Sequence, residues 1–460
     1  MIDLAAPRKG ESNMSDLIGK HAIVVGAGMG GLAFAKALSG HFDHVTVLDR
    51  DTLPADVRPR HGTPQARHLH VLLAGGLTAL NKLLPGIEAE LERAGAVRLS
   101  SQDAHLERPG FDPFPQRELG VSWLSISRPL LEFTTRQVVQ RQKNIELLGD
   151  CRVREFIASP DGSAVTGVRY ECNGRNETVS ADLVVDASGR GVLALAALAS
   201  TGVSKPEETE IGMDIAYSTA VFECPEDAPP SWKMVMVLPS APNDSRGAIL
   251  SPIEDNRWIV SVSGNHGDVP PGDAEGFLEF VKGMRTTTIF EAIKGAKPVG
   301  GIIRYALPCS ARRHFEAVQR FPRGLLPVGD AICRFNPVFG QGMSVVAQEA
   351  VILERLLSAR AGDMDPLDGL APAFFAEIQP VLETPWGIAN GDFIYPKTSG
   401  QRPADFERRL QFNIALVRLG AQDPSIHKLM MEVNHLLKPQ SALREPAVAE
   451  RVAKLIAAPA

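Results

Sequence analysis

The sequence has few cysteines, no long apolar run and no excess of basic residues. The five cysteines among its 460 residues have no CxxC spacing, so neither a structural zinc site nor a disulfide framework is predicted. Scattered thiols are typical of proteins in a reducing compartment, and we therefore expect a cytoplasmic protein. The net charge is −6, which gives no basic surface for nucleic acid.

Membrane spans and a disordered chain are also excluded by what is missing. No uninterrupted apolar stretch reaches the ~20 residues that a bilayer-spanning helix needs. Residues 1–18 lack the apolar core of a signal peptide and are expected to form a flexible leader. With 44% hydrophobic and 22% charged residues, the composition is that of a folded globular protein. The length corresponds to about three average domains of ~150 residues, with no internal repeat.

The chain opens with a predicted β-α-β unit. Residues 21–26 and 44–49 are short apolar runs rich in β-branched residues, which are typical of buried parallel strands. Between them lie a glycine cluster and an apolar helix that ends near Gly40. Helical spacing of apolar residues also predicts helices over residues 67–84 and 129–143.

The later part of the chain changes in character. Apolar segments within residues 210–265 are separated by turn residues, which indicates an antiparallel sheet. Residues 325–329 form another short predicted strand. Residues 366–460 are predicted to be helical, apart from a Pro- and Gly-rich interruption near 385–403. The proline-rich residues 104–120 are predicted to be a loop.

A glycine motif follows the first predicted strand. Gly26, Gly28 and Gly31 form G-x-G-x-x-G, in which the glycines permit a tight turn, close approach of a pyrophosphate and close helix–strand packing. The helix that begins there offers unpaired N–H groups to phosphates. Asp49 closes the second strand, where an acidic residue binds a ribose hydroxyl. These features together predict dinucleotide binding; the alternative is a glycine-rich turn in an ordinary α/β fold.

A second glycine-containing segment follows the strand at 325–329. Asp330 could accept hydrogen bonds from the hydroxyls of a ribityl chain, and Gly340 and Gly342 let the backbone approach a flat ring. A side chain at Gly342 would fill that space, and we expect a left-handed backbone there. The helix that begins near Met343 would direct its N–H groups at the carbonyl edge of a reduced flavin. The alternative is a simple helix with a glycine-rich N-terminal loop.

A basic cluster lies at residues 58–70, after Asp49, and overlaps the start of the predicted helix at 67–84. No acidic or histidine partner stands at metal-ligand spacing, so no metal site is predicted. Contacts to flavin phosphates or ribityl hydroxyls, or a solvated surface, are the remaining interpretations. The cluster consists of Arg58, Arg60, His61, Arg67, His68 and His70.

Several segments, in chain order, resemble the para-hydroxybenzoate hydroxylase-like, class A flavoprotein monooxygenases. They are GAGMGGL with LDR, ISRPLLEFTTR, CRVREF, LVVDASGR and PVGDAICRFNPVFGQGM. The segments QARHLHVLL and GDFIYPKTSGQRP are most similar to bacterial flavin epoxidases and hydroxylases of polyketide-type metabolism. The flavin halogenase signature W-x-W-x-I-P is absent from the sequence, which counts against halogenation.

The resemblance implies an α/β fold with a Rossmann-like FAD-binding domain of the GR2/PHBH type, an antiparallel-sheet substrate domain and a C-terminal helical region. The expected limits are 20–200, completed by 300–360, for the FAD-binding domain, 201–299 for the substrate domain and 361–460 for the helical region. The residues that it places at the FAD are Gly26, Gly28, Met29, Gly31, Asp49, Arg50, Arg67, His68, Arg128, Val153, Asp186, Gly329, Asp330, Pro337, Gly340, Gly342 and Met343.

The chain departs from the family at two positions. The central segment reads Asp186-Ala187-Ser188-Gly189-Arg190 rather than Asp-Gly. Because that stretch helps to seat both FAD and the nicotinamide, reduction by NADPH or NADH and reduction by a separate flavin reductase both stay open. Cys333 stands close to where the family has a histidine, and we expect it to be a buried structural thiol.

The resemblance implies an FAD-dependent monooxygenase. Such an enzyme inserts one oxygen atom of O2 into a medium-sized apolar or aromatic metabolite, by epoxidation or hydroxylation, through a flavin C4a-hydroperoxide. An FAD-dependent alkene reductase of the geranylgeranyl-reductase type and a non-redox flavin-fold cyclase or isomerase are the alternatives. The cofactor carries the chemistry in such enzymes, and no catalytic side chain, substrate or oligomeric state is predicted from the sequence.

Overall fold

A computed structural model describes residues 17–108, 114–229 and 231–457, so most of the predicted leader and residues 109–113 of a predicted loop lie outside the described residues. The strands are β1 (Gly19–Val25), β2 (Phe42–Leu48), β3 (Val71–Leu72), β4 (Val97–Ser100), β5 (Ala104–Glu107), β6 (Ser122–Ser125), β7 (Ile145–Leu148), β8 (Cys151–Ala158), β9 (Val165–Cys172), β10 (Arg175–Ser180), β11 (Leu183–Asp186), β12 (Glu208–Glu223), β13 (Met234–Val237), β14 (Gly247–Ile253), β15 (Arg257–Asn265), β16 (Ile303–Arg313), β17 (Leu325–Pro327), β18 (Cys333–Arg334) and β19 (Ser399–Gly400).

The helices in the same residues are α1 (Met29–Ser39), α2 (Ala74–Leu83), α3 (Ile87–Ala94), α4 (Arg128–Gln140), α5 (Val192–Ser200), α6 (Ala274–Lys282), α7 (Thr288–Ile293), α8 (Gly342–Arg360), α9 (Leu370–Glu377), α10 (Gln379–Ala389), α11 (Phe406–Gln422), α12 (Pro424–Asn434) and α13 (Pro446–Ala457). Within the described ranges, no helix is both long and apolar enough to cross a bilayer. The mixed α/β class predicted from the sequence is confirmed.

A five-stranded parallel sheet forms the first layer, in the order β17-β11-β1-β2-β7. The last four residues of β1 and of β2 are buried, because the strands lie in the interior of the sheet and α1 and α8 pack nearby. Parallel strands all end at the same edge. Consequently, one edge of the sheet carries the residues that follow or close four of these strands. They are Gly26, Asp49, Asp186 and Val328.

The second large sheet has eight strands, in the order β18-β16-β12-β15-β14-β13-β5, with β19 paired to β12. Its strands are antiparallel except for the β13–β5 pair. Four strands come from residues 201–299, and the others come from four more distant segments, including β16. The domain limits remain a prediction.

The two faces of this sheet have different partners. Phe222, Val260 and Val262 on the outer face pack with Phe277 and Val281 of α6. The opposite face, called the inner face below, carries the odd-numbered residues from Met213 to Thr219 of β12 and their neighbours on the adjacent strands. Met236 and Ile249 on this face pack against the core of the parallel sheet. The inner face is therefore directed at the half of the molecule that carries the glycine motifs.

Three local predictions were wrong in part. The helix predicted over 67–84 begins only at Ala74, because β3 pairs with β6 just before it. The predicted loop 104–120 contains β5, which gains its hydrogen bonds from a partner far along the chain, β13. The interruption predicted near 385–403 is present, but it begins only after α10 ends at Ala389, with Pro385 buried inside that helix.

Two of the five cysteines are not isolated thiols. Cys151 and Cys172 lie opposite each other on β8 and β9 and form a disulfide. No local pattern predicts this pair, because the proximity of the two cysteines depends on the register of two strands. Cys224, Cys309 and Cys333 are free, and Cys333 is buried as predicted. The inference of a reducing compartment from unpaired cysteines therefore loses part of its basis.

Candidate active site

The turn between β1 and α1 has room only for glycine at two positions. Gly26 has a left-handed backbone with φ of 103°. A Cβ atom on Gly31 would lie 1.7 Å from the carbonyl oxygen of Gly26. No described side chain caps the N-terminus of α1, which begins at Met29. The first N–H groups of this helix are thus available to an anion such as a phosphate.

Asp49 is fixed beneath this turn. One of its carboxylate oxygens accepts a hydrogen bond from the Ala27 N–H at 2.6 Å. The other accepts from the Asp51 N–H at 2.9 Å and lies 3.0 Å from a guanidinium nitrogen of Arg60. A carboxylate has about four acceptor positions, so Asp49 retains capacity for a ribose hydroxyl.

A buried chain of charges links Asp49 to Arg128. Arg60 lies 2.6 Å from one oxygen of Glu132, and Arg128 lies 3.1 Å from the other. Burial disfavours the charge on Arg60, but Asp49 and Glu132 raise its pKa. Burial likewise opposes the charge on Glu132, whose pKa is lowered by Arg128 and Arg60. Arg60 is therefore part of the interior, not of a solvated basic surface.

Arg128 lies next to the glycine turn. One of its terminal nitrogens is 3.8 Å from the position that a Cβ atom on Gly28 would take. Its Nε has no hydrogen-bond partner among the described residues, although it is buried. A cation with an unused donor beside an uncapped helix N-terminus fits a pyrophosphate.

Asp330 lies farther along the same edge of the parallel sheet. Its carboxyl is accessible to solvent but surrounded by protein, and burial raises its pKa against the opposing effects of Arg334 and Arg128. Asp330 therefore faces a cleft that reaches into the molecule. The preceding Gly329 has a φ of 59°, and its N–H donates to the buried Glu349 at 2.8 Å. An acceptor in this position fits the hydroxyls of a ribityl chain.

The loop before α8 adjoins Asp330. A Cβ atom on Gly342 would meet only one described atom within 4 Å, an oxygen of Asp330 at 3.9 Å. The expected left-handed backbone at Gly342 was wrong: the left-handed residue of this loop is Gly340, with φ of 67°. Gly342 already belongs to α8, so a helical backbone suffices there. Space at Gly342 is thus open toward the cleft.

The same loop contacts the antiparallel sheet. Asn336 accepts a hydrogen bond from the Val338 N–H at 3.1 Å and so holds the 3-10 turn Pro337–Phe339. Val338 packs against the apolar cluster that Met213, Ile215 and Leu307 form on the inner face. The start of α8 has no side-chain cap among the described residues, and the Gln341 Oε1 beside it is buried without a partner. A flat ring held next to this loop would lie close to the inner face.

His68 lies against the antiparallel sheet. Its Nδ1 is 2.8 Å from Thr219 Oγ1, and its ring packs edge-on against Tyr217 with a centroid distance of 4.6 Å. Burial lowers the pKa of His68 to about 4, so the imidazole is neutral at pH 7. The structure thus places His68 against the inner face, while the neighbouring Arg67 is exposed. His70 lies nearer the predicted site, and burial together with Arg128 lowers its pKa to about 3.

Other predicted residues differ in how they face the cleft. Asp186 is completely buried, and its oxygens accept hydrogen bonds from Ser188 and from the Ala194 N–H at the start of α5. Its carboxylate therefore stabilises the local turn. Arg50 and Pro337 are exposed, and Met29 and Val153 are buried. The Cys151 N–H, two residues before Val153, donates to the Asp49 carbonyl, which brings β8 next to Asp49.

Several residues of the site were missed by sequence reasoning. Glu132 follows Arg128 by one helical turn, which is a recognisable spacing, but its contact with Arg60 spans 72 positions. Asp392 is buried and its pKa is raised to about 6 by burial; it accepts a hydrogen bond from Asn336 at 3.2 Å. No local pattern could have joined Glu132 to Arg60 or Asp392 to Asn336.

Comparison with known proteins relates this arrangement to one family. The sequence is 32% identical to Protein Rv3254 of Mycobacterium tuberculosis (strain ATCC 25618 / H37Rv) over 358 residues, or 75% of this chain and 74% of that protein. Squalene monooxygenase 1,1 of Brassica napus is 24% identical over 378 residues, or 79% of this chain and 68% of that protein. No protein-family model matches the sequence.

Two solved structures share the fold. The flavin-dependent brominase Bmp2 superposes with a TM-score of 0.66 at 15% identity, covering 95% of this chain and 100% of that chain. PqsL, a probable FAD-dependent monooxygenase from Pseudomonas aeruginosa, gives a TM-score of 0.58 at 16% identity, covering 82% and 98%. The chain belongs to one family with Protein Rv3254, and it has the fold of the flavin-dependent brominase Bmp2 and of PqsL. The uncapped N-terminus of α1, Arg128 and Asp330 fit FAD.

Proposed function

We propose that this protein is an FAD-dependent monooxygenase, an oxidoreductase that inserts one oxygen atom of O2 into a medium-sized apolar or aromatic metabolite, by epoxidation or hydroxylation. The observation that carries the proposal is the packing of Val338 against the cluster of Met213, Ile215 and Leu307. It brings the loop before α8 against the inner face of the antiparallel sheet. A substrate lying on that face is then adjacent to the predicted ring site, and the surrounding apolar side chains exclude water.

FAD, when bound, supplies the reduction of dioxygen and the transfer of one of its atoms. The chain's own residues hold and orient it. Arg128 and the N-terminus of α1 would neutralise the pyrophosphate, Asp49 would bind the ribose, and Asp330 would accept from the ribityl hydroxyls. The uncapped N-terminus of α8 would favour negative charge on the nearby ring edge.

The source of electrons is a separate part of the proposal. We propose NADPH or NADH as the reductant, with a separate flavin reductase as the alternative, in a cytoplasmic setting. In the family that the sequence resembles, the stretch around Asp186 helps to seat the nicotinamide. Here the Asp186 carboxylate already accepts hydrogen bonds from Ser188 and from α5, and we therefore keep both electron sources in the proposal.

The decisive experiment uses purified protein loaded with FAD, NADPH and isotopically labelled dioxygen, with candidate alkenes and phenols. We expect substrate-dependent oxygen consumption and a product heavier by one labelled oxygen atom. A product that has gained two hydrogen atoms would indicate the alkene reductase, and a product of unchanged mass would indicate the isomerase. A brominated product in the presence of bromide would contradict oxygen insertion into the substrate.

A further inference from the structure

A transverse row of residues crosses the inner face of the antiparallel sheet. The strand register pairs Tyr305 with Tyr217, Tyr217 with Ser263, and Ser263 with Gly247. Cross-strand partners project from the same face of a sheet. The two tyrosine rings, 5.6 Å apart, make one end of the row bulky. Ser263 and Gly247 carry little or no side chain, so the middle of the row is low.

The row leads to Arg108 at the opposite edge of the sheet. Val237 pairs with Glu107, and the Leu238 N–H donates to the Glu107 carbonyl at 3.0 Å, so Arg108 continues the same line after β5. Leu106, two residues earlier, packs on the core of the C-terminal helices, and alternation places Arg108 on that same side. Five strand spacings separate β16 from β5, which is about 24 Å at ~4.8 Å each.

Arg108 has no counter-charge in the part of the chain that the structure describes. It makes no ion pair or hydrogen bond there, its buried Nε is unpartnered, and its guanidinium lies 5.8 Å from the centre of the Phe114 ring. Burial lowers the pKa of Arg108 to about 10. The nearby His427 has a pKa lowered to about 4 by burial, with Arg117 and Arg108 contributing. The described neighbours of Arg108 thus supply no compensating negative charge.

The environment of Arg108 differs from that of the other buried arginines near the cleft. Arg60 contacts Asp49 and Glu132, and Arg128 also contacts Glu132. An interior cation without an anion is costly, because burial removes hydration that nothing replaces. A ligand that carries an anionic group would offset this cost at Arg108.

We propose that the row forms the floor of the substrate site and that Arg108 binds the carboxylate of an elongated apolar substrate. The inference rests on the proposed function, because it places the reacting carbon at the tyrosine end, where Val338 packs on the sheet. The carboxylate would then lie about 20 Å from the reacting carbon, across four or more strand spacings. A single aromatic ring cannot bridge that distance, so the substrate class is a long-chain carboxylic acid with its reactive carbon far from the carboxyl group.

The test compares hexadecanoate with its methyl ester, each below its micelle concentration, as ligands of the FAD-loaded protein. Binding is followed by tryptophan fluorescence. We expect the acid to bind about tenfold more tightly than the ester, as one charge-assisted contact would give. Arg108→Met should remove this preference and Arg108→Lys should keep part of it. Arg98→Met, which removes an exposed arginine on β4, should change neither affinity.

Equal binding of acid and ester by the wild-type protein would overturn the proposal, and so would a preference that survives in Arg108→Met. FAD content, measured in the same samples, separates this inference from the proposed function. A protein that holds FAD but shows no preference for the acid contradicts only the role of Arg108. A protein that prefers the acid but holds no FAD contradicts the monooxygenase assignment instead.

Discussion

The edge of the parallel sheet and the inner face of the antiparallel sheet are built in different ways. Along the edge, the residues predicted to hold FAD follow individual strands, as Gly26 follows β1 and Asp49 follows β2. On the inner face, Tyr217, Ser263 and Tyr305 meet only through the register of three strands. A site for a shared cofactor can thus be predicted from local motifs, whereas a site for a particular substrate depends on long-range strand pairing.

The largest effect is expected at Gly31. Its Cβ position is 1.7 Å from the Gly26 carbonyl, so Gly31→Val must displace the backbone of the turn. We expect a loss of at least about 3 kcal/mol in stability, together with loss of FAD from the purified protein. Differential scanning calorimetry and cofactor extraction measure the two effects. Gly40→Ala is the control, because nothing lies within 4 Å of its Cβ position; equal behaviour of the two variants would refute the account of the turn.

Removing the Arg128 guanidinium should produce the next largest effect. Arg128→Met would eliminate the donor beside Gly28 and leave Glu132 paired with Arg60 alone. We expect FAD affinity to fall by about ten- to a hundredfold, equivalent to roughly 1.5–3 kcal/mol. Titration of the apoprotein with FAD gives the value, with the exposed Arg141→Met as control. An unchanged affinity in Arg128→Met would remove this residue from the cofactor site.

A change at His68 tests whether the two regions are separate. His68→Leu deletes the contact with Thr219 but should leave FAD affinity within about twofold of wild type, since His68 lies on the inner face. We expect turnover of a bound substrate to fall by about tenfold through displacement of Tyr217. Steady-state kinetics and FAD titration are the paired measurements. Loss of FAD instead would restore the predicted contact between His68 and the flavin.

Glu349 should show the smallest effect on FAD binding, and its effect on stability should be visible as a function of pH. Burial raises its pKa to about 8, from an ordinary 4.5. The unfolded chain therefore loses this proton at lower pH than the folded protein, and the wild type loses stability as pH rises from 4.5 to 8. Glu349→Gln does not titrate, so we expect it to gain stability relative to wild type across that window and no more above it. Urea unfolding at several pH values measures the difference; a constant difference would contradict the raised pKa.

The sequence alone was sufficient to predict the elements whose pattern lies within one short stretch of the chain. The β1–α1–β2 unit and the start of α8 were predicted within a few residues, because glycine spacing and apolar runs are local. The buried contacts of Arg60 with Asp49 and Glu132 could not be predicted, since they join residues on three elements. The same limit explains why neither the disulfide of β8 and β9 nor the contact of His68 with Thr219, 151 positions away, could be predicted.

We place the flavin ring in the cleft beside Asp330 and the start of α8. Gly342→Val is the decisive variant, because the nearest described atom outside the helix to its Cβ position is an oxygen of Asp330 at 3.9 Å, and the side chain would enter this open space. We predict a variant that unfolds within a few degrees of wild type but binds FAD at least about a hundredfold more weakly, or with an altered flavin spectrum. Glu354→Gln on the same helix should do neither. A folded Gly342→Val protein with normal FAD affinity and a normal flavin spectrum would contradict the placement of the ring.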